Sequence, residues 1–376
     1  MPHPHPHPTD QRKDSARSQR TAGDRGEPLE RRRRRAGLGL AGLIALVAAV
    51  VLGVALSSGS SAPRRAAAGS SGAGATPSAP APSPPAPKPP SSYAVGLHVM
   101  RLVDRSRTIT LADGSTQPRT LLTYVRYPAL GSPGPGERSN APAARTWGPF
   151  PLVVFGHGFD VTPALYARLL HAWAQAGYVV AAPLFPLENP NAPGGPNEAD
   201  LTNQPADISF VISSILESSR AATDPLSGLV DASAIGVSGQ SDGGDTALAV
   251  AYDQRYRDPR VTAAMILSGA EIPASGPFTF PSGGPPLLAT QGTADTINPP
   301  DSTTTFFDAA ARPKYLLRLP GAGHLPPYSE QQPQLSIVEH VTLAFLDGYL
   351  KHRAAQLRRL GSLGNVPGAA SLLAQP

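Results

Sequence analysis

The stretch GVSGQSDGGD, Gly236 to Asp245, sets a serine between two glycines and follows it directly with an acid. An apolar run, Ala234 to Ser238, leads in, and DGGDTALAVAYD, Asp242 to Asp253, leads out with the composition of a helix. The predicted local order is strand, sharp turn and helix, with Gly239-Gln240-Ser241-Asp242-Gly243 at the turn in the pattern G-x-S-x-G. Such a turn forces Ser241 into a strained backbone conformation and draws chain segments together. A side chain two residues to either side would clash, and glycine removes it. The serine oxygen is thereby lifted out for attack. An ordinary glycine-rich strand-to-helix turn is the competing reading of the same residues.

A neutral serine hydroxyl is a poor nucleophile and needs a base within hydrogen-bond reach, held in turn by a third group. Downstream, LLATQGTADTINPP places Asp295 just past an apolar run that ends at Thr290. KYLLRLPGAGHLPP places His324 in a glycine loop just past a run that ends near Leu319. Ser241, Asp295 and His324 thus each follow a different strand end, in the order serine, acid, histidine, and are expected on one rim. His340 falls inside the helical pattern SIVEHVTLAFLDGYL and His352 in a basic terminal stretch; Asp301, the alternative acid, opens DSTTTFFDAAA as a helix cap. Stabilising a developing oxyanion takes preorganised backbone N–H groups. Phe159 in the turn FGHGFD, with Gly158 allowing close approach, and Asp242 are the expected donors. His157, in the same turn, is read as structural. The Asp242 carboxylate stands at a helix N-terminus, where the dipole favours negative charge, and is expected to point away from the oxyanion.

Working outward, PLVVFGHG from Pro151 is a continuous apolar run of the kind buried on both faces of a sheet. A helix follows, with Thr162 as its cap, Pro163 in its first turn, Leu165, Leu169, Trp173 and Ala176 on one face, and Gly177 at its end. YVVAAPLFP is the next strand, and Asp207 is expected to cap the amphipathic ISFVISSILE. Further strands are expected at Ala234 to Ser238, Val261 to Ser268, Pro286 to Thr290 and Tyr315 to Leu319, with helices after the first, third and fourth. AVGLHVMRLV and RTLLTYVRYP, separated by the turn ADGS, precede them as two more strands. Alternating strands and helices predict an α/β fold with a mostly parallel, doubly wound sheet covered on both faces, and ligands beyond the carboxyl ends of its strands.

The 44 prolines of the 376-residue chain crowd into particular segments, which predicts one globular body with appendages. Residues 1–35 are polar and Arg-rich and are expected to be a disordered basic tail, in which HPHPHPHP reads as an extended Pro-rich stretch rather than a metal-binding tract. AGLGLAGLIALVAAVVLGVAL, residues 36–56, is uncharged and would span about 32 Å as a helix. It is read as a single-pass signal-anchor with the arginines cytoplasmic and everything beyond exported; a cleaved signal peptide, giving a secreted product, is the alternative. Residues 57–92 form a Pro/Ala/Ser-rich linker, 93–355 the catalytic domain, and 356–376 a loosely ordered tail. The net charge of +5 belongs to the N-terminal tail. Residues 93–355 hold 17 basic and 22 acidic side chains, a balance that argues against nucleic acid as a partner. There is no cysteine, which removes disulfides, thiolate metal sites and a cysteine nucleophile together.

VVFGHGFDVTPALYARLLHAWAQAGYVVAAPLFP, GVSGQSDGG, TQGTADTINPP and PGAGHLPP together resemble the α/β-hydrolase superfamily over about residues 93–350. Within it the chain is most similar to the branch of dienelactone hydrolases, chlorophyllases and platelet-activating-factor acetylhydrolase-like esterases, although dienelactone hydrolases proper use the cysteine nucleophile that this chain lacks. The resemblance implies a sheet of about eight strands, a triad of Ser241, Asp295 and His324, and an oxyanion hole from the Phe159 and Asp242 amides. It implies neither a metal nor an organic cofactor. Gly269 to Pro285 is too short for a helical lid, so a minimal cap and an open site are expected, with Leu187 to Gln204 as the other wall. The expectation is a membrane-anchored, exported serine hydrolase that cleaves small or lipid-like carboxylic esters without an obligate protein partner. An amidase or peptidase with the same triad, or a non-catalytic surface protein on this scaffold, are the alternatives.

Overall fold

Two long strands, β1 (Ala94–Thr110) and β2 (Thr116–Ala129), form an antiparallel hairpin, and the short β3 (Glu137–Ser139) adds to β1 in parallel. They open a computed structural model that describes residues 88–111, 113–272 and 278–376. The tail at 1–35, the apolar span at 36–56 and the linker up to residue 87 lie outside the described residues.

The parallel core begins with β4 (Phe150–Gly156), whose seven residues are all buried. A single 3-10 turn and then α1 (Ala167–Gln175) lead to β5 (Val179–Leu184). Thr162 stands at the entry to that turn, but its side chain makes no capping bond. Gly177 takes the positive φ of +96° that closes the helix, as its position predicts. The wall loop follows and ends in a 3-10 turn, Glu198–Asn203, that runs into α2 (Gln204–Arg220). Asp207 is therefore not a cap. It lies within the first turn of α2, fully buried, and pairs with Arg119. Then come β6 (Val230–Gln240), α3 (Asp242–Tyr252), β7 (Val261–Leu267), β8 (Leu287–Gly292), α4 (Pro300–Ala309) and β9 (Lys314–Leu319). The one-turn α5 (Pro326–Ser329) and the long α6 (Gln334–Tyr349) close the expected body.

The structure departs from the sequence reading at the C-terminus. Residues expected to be a loose tail instead form α7 (Ala354–Gly364) and β10 (Ser371–Gln375), and β10 pairs antiparallel with β9 from Ser371 opposite Arg318 to Gln375 opposite Lys314. Local contacts explain why. Leu360 is fully buried, Leu357 lies against Gly348 of α6, and Leu372 lies against Gly364. With β3 and β10 at its edges the sheet has ten strands rather than eight, ordered β10-β9-β8-β7-β6-β4-β5-β2-β1-β3.

Alternation along the strands divides the core between the two faces of the sheet. Leu152, Val154, Ile235 and Val237 face a layer that includes Ile208, Val211 and Ile215 of α2 and Phe306 of α4. Val153, Phe155, Met265 and Leu267 face a layer that includes Leu169 and Trp173 of α1 and Val338 and Phe345 of α6. Each such buried side chain contributes roughly 1.5–3 kcal/mol. Strand β4 is flanked by β5 on one side and β6 on the other. The chain reverses its direction of travel across the sheet there, which opens a crevice beyond the carboxyl ends of β4 and β6.

Among the described residues no helix is long and apolar enough to cross a membrane. The longest, α2, has 17 residues and carries Asp207, Glu217 and Arg220. Its rise is about 26 Å, short of the roughly 30 Å of a hydrocarbon core. The expectation of a membrane-anchored protein, with a cytoplasmic N-terminus, an extracytoplasmic domain and the membrane as a partner, is corrected on this finding. The span on which it rested, 36–56, lies outside the described residues.

Candidate active site

The last residue of β6 is Gln240 and the first of α3 is Asp242, so a single residue, Ser241, makes the turn between them. Its backbone sits at φ 57° and ψ −127°, a conformation that costs about 1–3 kcal/mol for a residue other than glycine. The two flanking glycines are required by space. A Cβ on Gly239 would lie 2.0 Å from the Gly243 carbonyl oxygen, and one on Gly243 would lie 2.1 Å from that of Gly156 at the end of β4.

Asp295 follows β8 and His324 follows β9; His324 reaches Ser241, and Asp295 reaches His324. The Ser241 hydroxyl lies 2.8 Å from His324 Nε2, and His324 Nδ1 lies 2.7 Å from Asp295 Oδ2. The surroundings of Asp295 fix the direction of these bonds. Its Oδ1 accepts from the backbone N–H of Ile297 at 2.9 Å and of Asn298 at 3.0 Å, and its Oδ2 also accepts from Gln291 Nε2 at 3.3 Å. With Oδ2 placed to accept from His324 Nδ1, the ring's Nε2 is left to accept from the serine hydroxyl. Ser241 is 7% exposed and Asp295 3%.

The other candidates are elsewhere. His340 is exposed on α6, His352 is exposed after it, and Asp301 is exposed in the first turn of α4. His157 is fully buried with both nitrogens engaged. The Phe185 amide donates to its Nε2 at 2.9 Å, and its Nδ1 donates to the Gly158 carbonyl at 2.8 Å. Burial holds its pKa down at about 4, so the ring is neutral and ties the loop after β4 to the loop after β5.

That first loop carries Phe159. A Cβ on Gly158 would lie 3.1 Å from the Ser241 Cβ, which sets the loop directly against the serine. Asp242 N–H is the first amide of α3 and so has no acceptor along the helix axis. The Asp242 carboxylate is buried, and its charge acts on Glu188 and on the Tyr166 hydroxyl.

Four features carried no signal in the sequence, because each depends on residues that only the fold brings together. Gln240 donates from Nε2 to the His324 carbonyl at 3.1 Å and accepts from the Tyr166 hydroxyl at 2.7 Å, while Tyr166 accepts from the Gly158 amide at 3.3 Å. One amide side chain therefore ties the serine turn, the histidine loop and the Phe159 loop together. Asp245 of α3 accepts from the Ala270 amide after β7 at 2.5 Å. Arg119 of β2 grips Asp207 through Nε and Nη2 and Asp200 through both terminal nitrogens, at 2.6 to 2.9 Å. Glu188, in the wall loop, is buried, and among the described residues neither of its carboxylate oxygens has a hydrogen-bond partner.

A serine on a one-residue strand-to-helix turn, in line with a histidine and an acid from the next parallel strand ends, matches one architecture. The domain has the α/β-hydrolase fold. Comparison with known proteins agrees. The chlorophyllase family model matches residues 140–269, a stretch that includes Phe159 and Ser241 and stops before Asp295 and His324. Among solved structures, the ferulic acid esterase from Streptomyces cinnamoneus is similar at a TM-score of 0.54 and 24% identity, over 71% of this chain and 93% of that one. No curated protein matches. Ser241 lies at the end of β6, beside the point where the strand order reverses, which is where open α/β sheets as a class bind ligands.

Proposed function

We propose that the domain is a serine hydrolase that cleaves carboxylic esters through an acyl-enzyme on Ser241. The observation that carries this reading is the unbroken line from Ser241 Oγ to His324 at 2.8 Å and on to Asp295 at 2.7 Å. As Ser241 Oγ attacks the ester carbonyl carbon, His324 Nε2 takes the hydroxyl proton, and the electron pair of the C=O bond moves onto oxygen. The Phe159 and Asp242 amides donate to that oxyanion, and Asp295 stabilises the imidazolium without taking its proton. Collapse of the tetrahedral intermediate expels the alkoxide, which receives the proton from His324 Nε2. Water, activated by the same nitrogen, then attacks the acyl-Ser241 carbonyl, and breaking the acyl–oxygen bond returns the proton to serine.

The ester reading is supported by the names of the similar proteins, a ferulic acid esterase and a chlorophyllase family. It is tested with a fluorophosphonate probe and with matched nitrophenyl esters and a nitroanilide. Wild type is expected to label and to turn over the esters, whereas Ser241→Ala loses labelling and at least about 10⁴-fold in kcat. Anilide cleavage at a rate comparable to the esters would replace the esterase with an amidase. No labelling of the wild type would leave a non-catalytic protein on this scaffold.

A further inference from the structure

Glu188 lies in the loop after β5 with 0% exposure, and among the described residues neither carboxylate oxygen has a hydrogen-bond partner. The neighbouring charges that act on it are all negative: Asp242 at the start of α3 foremost, then Asp200 and Glu198 in the 3-10 turn of the wall loop. Gln204, at the start of α2, is the one group that favours the anion, yet its Nε2 reaches no acceptor and its Oε1 accepts from Thr246 at 2.8 Å. Arg119 gives its fork to Asp200 and Asp207. A buried anion with neither donor nor cation costs several kcal/mol, so the group keeps its proton instead. Burial first, and the Asp242 charge second, hold the Glu188 carboxyl well above the usual carboxylate range.

The anion bearing most strongly on Glu188 is the Asp242 carboxylate. Asp242 is 1% exposed and occupies the first turn of α3, where the helix dipole favours the charged form. The pair is therefore one acid and one carboxylate. Glu188 has a second hold on the site through its main chain. Its carbonyl accepts from the Asp160 amide at 2.9 Å, one residue beyond Phe159. The loop that carries Phe159 is thus tied by its neighbour Asp160 to the residue on which the Asp242 charge acts.

We propose that Glu188, as a neutral acid held in the field of the Asp242 carboxylate, is the positioning residue that aims the Phe159 and Asp242 amides, and that its ionisation disengages them at alkaline pH. When the proton leaves, two buried anions face each other. The repulsion separates the Glu188 loop from α3, and the loop carries Asp160 and Phe159 with it. The added charge also opposes the oxyanion directly. This rests on the serine hydrolase reading above.

The test uses the full chain, with kcat and KM for 4-nitrophenyl acetate followed from neutral to alkaline pH in wild type, Glu188→Gln and Glu188→Ala. Wild type is expected to lose kcat on the alkaline side. Glu188→Ala lowers kcat about tenfold at neutral pH, with KM within about twofold, since a misaimed donor costs less than the 10²–10³-fold of a deleted one. Glu188→Gln, which keeps the shape but cannot ionise, recovers most of kcat and lacks the alkaline descent. Infrared spectra give a readout independent of turnover: wild type at neutral pH shows the C=O stretch of a buried carboxylic acid, and Glu188→Gln lacks it. A Glu188→Gln descent that coincides with the wild-type one, or no such stretch to lose, overturns the proposal. Turnover that survives Ser241→Ala overturns the reading beneath it instead, with the infrared result still standing on its own.

Discussion

Asp295 and Asp207 are both buried aspartates, and they are satisfied in opposite ways. Asp295 is met by two backbone amides of its own turn, one glutamine amide and His324. Asp207 is met by the guanidinium groups of Arg119 and Arg107, 88 and 100 residues earlier in the chain. Main-chain donors come with the turn that follows a strand, so they are in place as soon as β8 pairs with its neighbours. The Arg119 cluster has to be assembled from two distant segments, and each member left alone would be a bare charge in the interior. The acid of the proposed triad is thus held largely by neutral donors of its own turn, and the wall beside it by buried charge.

That contrast predicts that activity and stability separate. The largest effect falls on Asp295→Asn, which keeps an oxygen for the Ile297 and Asn298 amides but turns an N–H toward His324 and imposes the wrong tautomer. The expected loss is about 10⁴-fold in kcat, with a melting temperature within a few degrees of wild type by calorimetry. Arg119→Ala does the reverse. It leaves Asp200 buried with the Asn203 amide alone and Asp207 buried with Arg107 alone, and urea unfolding is expected to show about 3–5 kcal/mol less stability, while the folded fraction still labels with fluorophosphonate. If Arg119→Ala instead lost activity and kept its stability, the division between the two regions would fail.

His157 sharpens the comparison through pH. Its folded pKa is lowered from 6.5 to about 4 by burial, so the unfolded chain takes up the proton first. The stability it provides is full above about pH 6.5, declines as the pH falls toward about 4, and totals roughly 3 kcal/mol. Urea titrations across that window should show a slope in wild type that His157→Gln lacks. The smallest effect belongs to Gln240→Leu, which unties the His324 carbonyl from Tyr166. About tenfold in kcat, or roughly 1.4 kcal/mol of barrier, is expected, with unchanged KM; an equal change in KM would assign Gln240 to substrate binding.

Legibility in the sequence followed the same divide. Ser241, Asp295 and His324 could be picked out because each sits a few residues beyond an apolar run, and the covalent chain carries that information. The alternating runs likewise gave the parallel strands and the helices between them. Asp207 was read as a cap because its local setting is that of a cap, while its actual partner is on β2. Glu188 and Gln240 had no local pattern at all. The tail at 356–376 was misread from its Gly/Ala/Leu composition, since Leu360 and Leu372 find their places only against α6 and α7.

Gly243 of α3 rests backbone to backbone on Gly156 of β4. With no side chain between them, the spacing from the strand that leads to Phe159 to the helix that begins at Asp242 is a dimension of the bare polypeptide. Exchanging side chains in the surrounding walls leaves that gauge untouched, so the walls of the crevice are free to change shape while the distance across it stays constant.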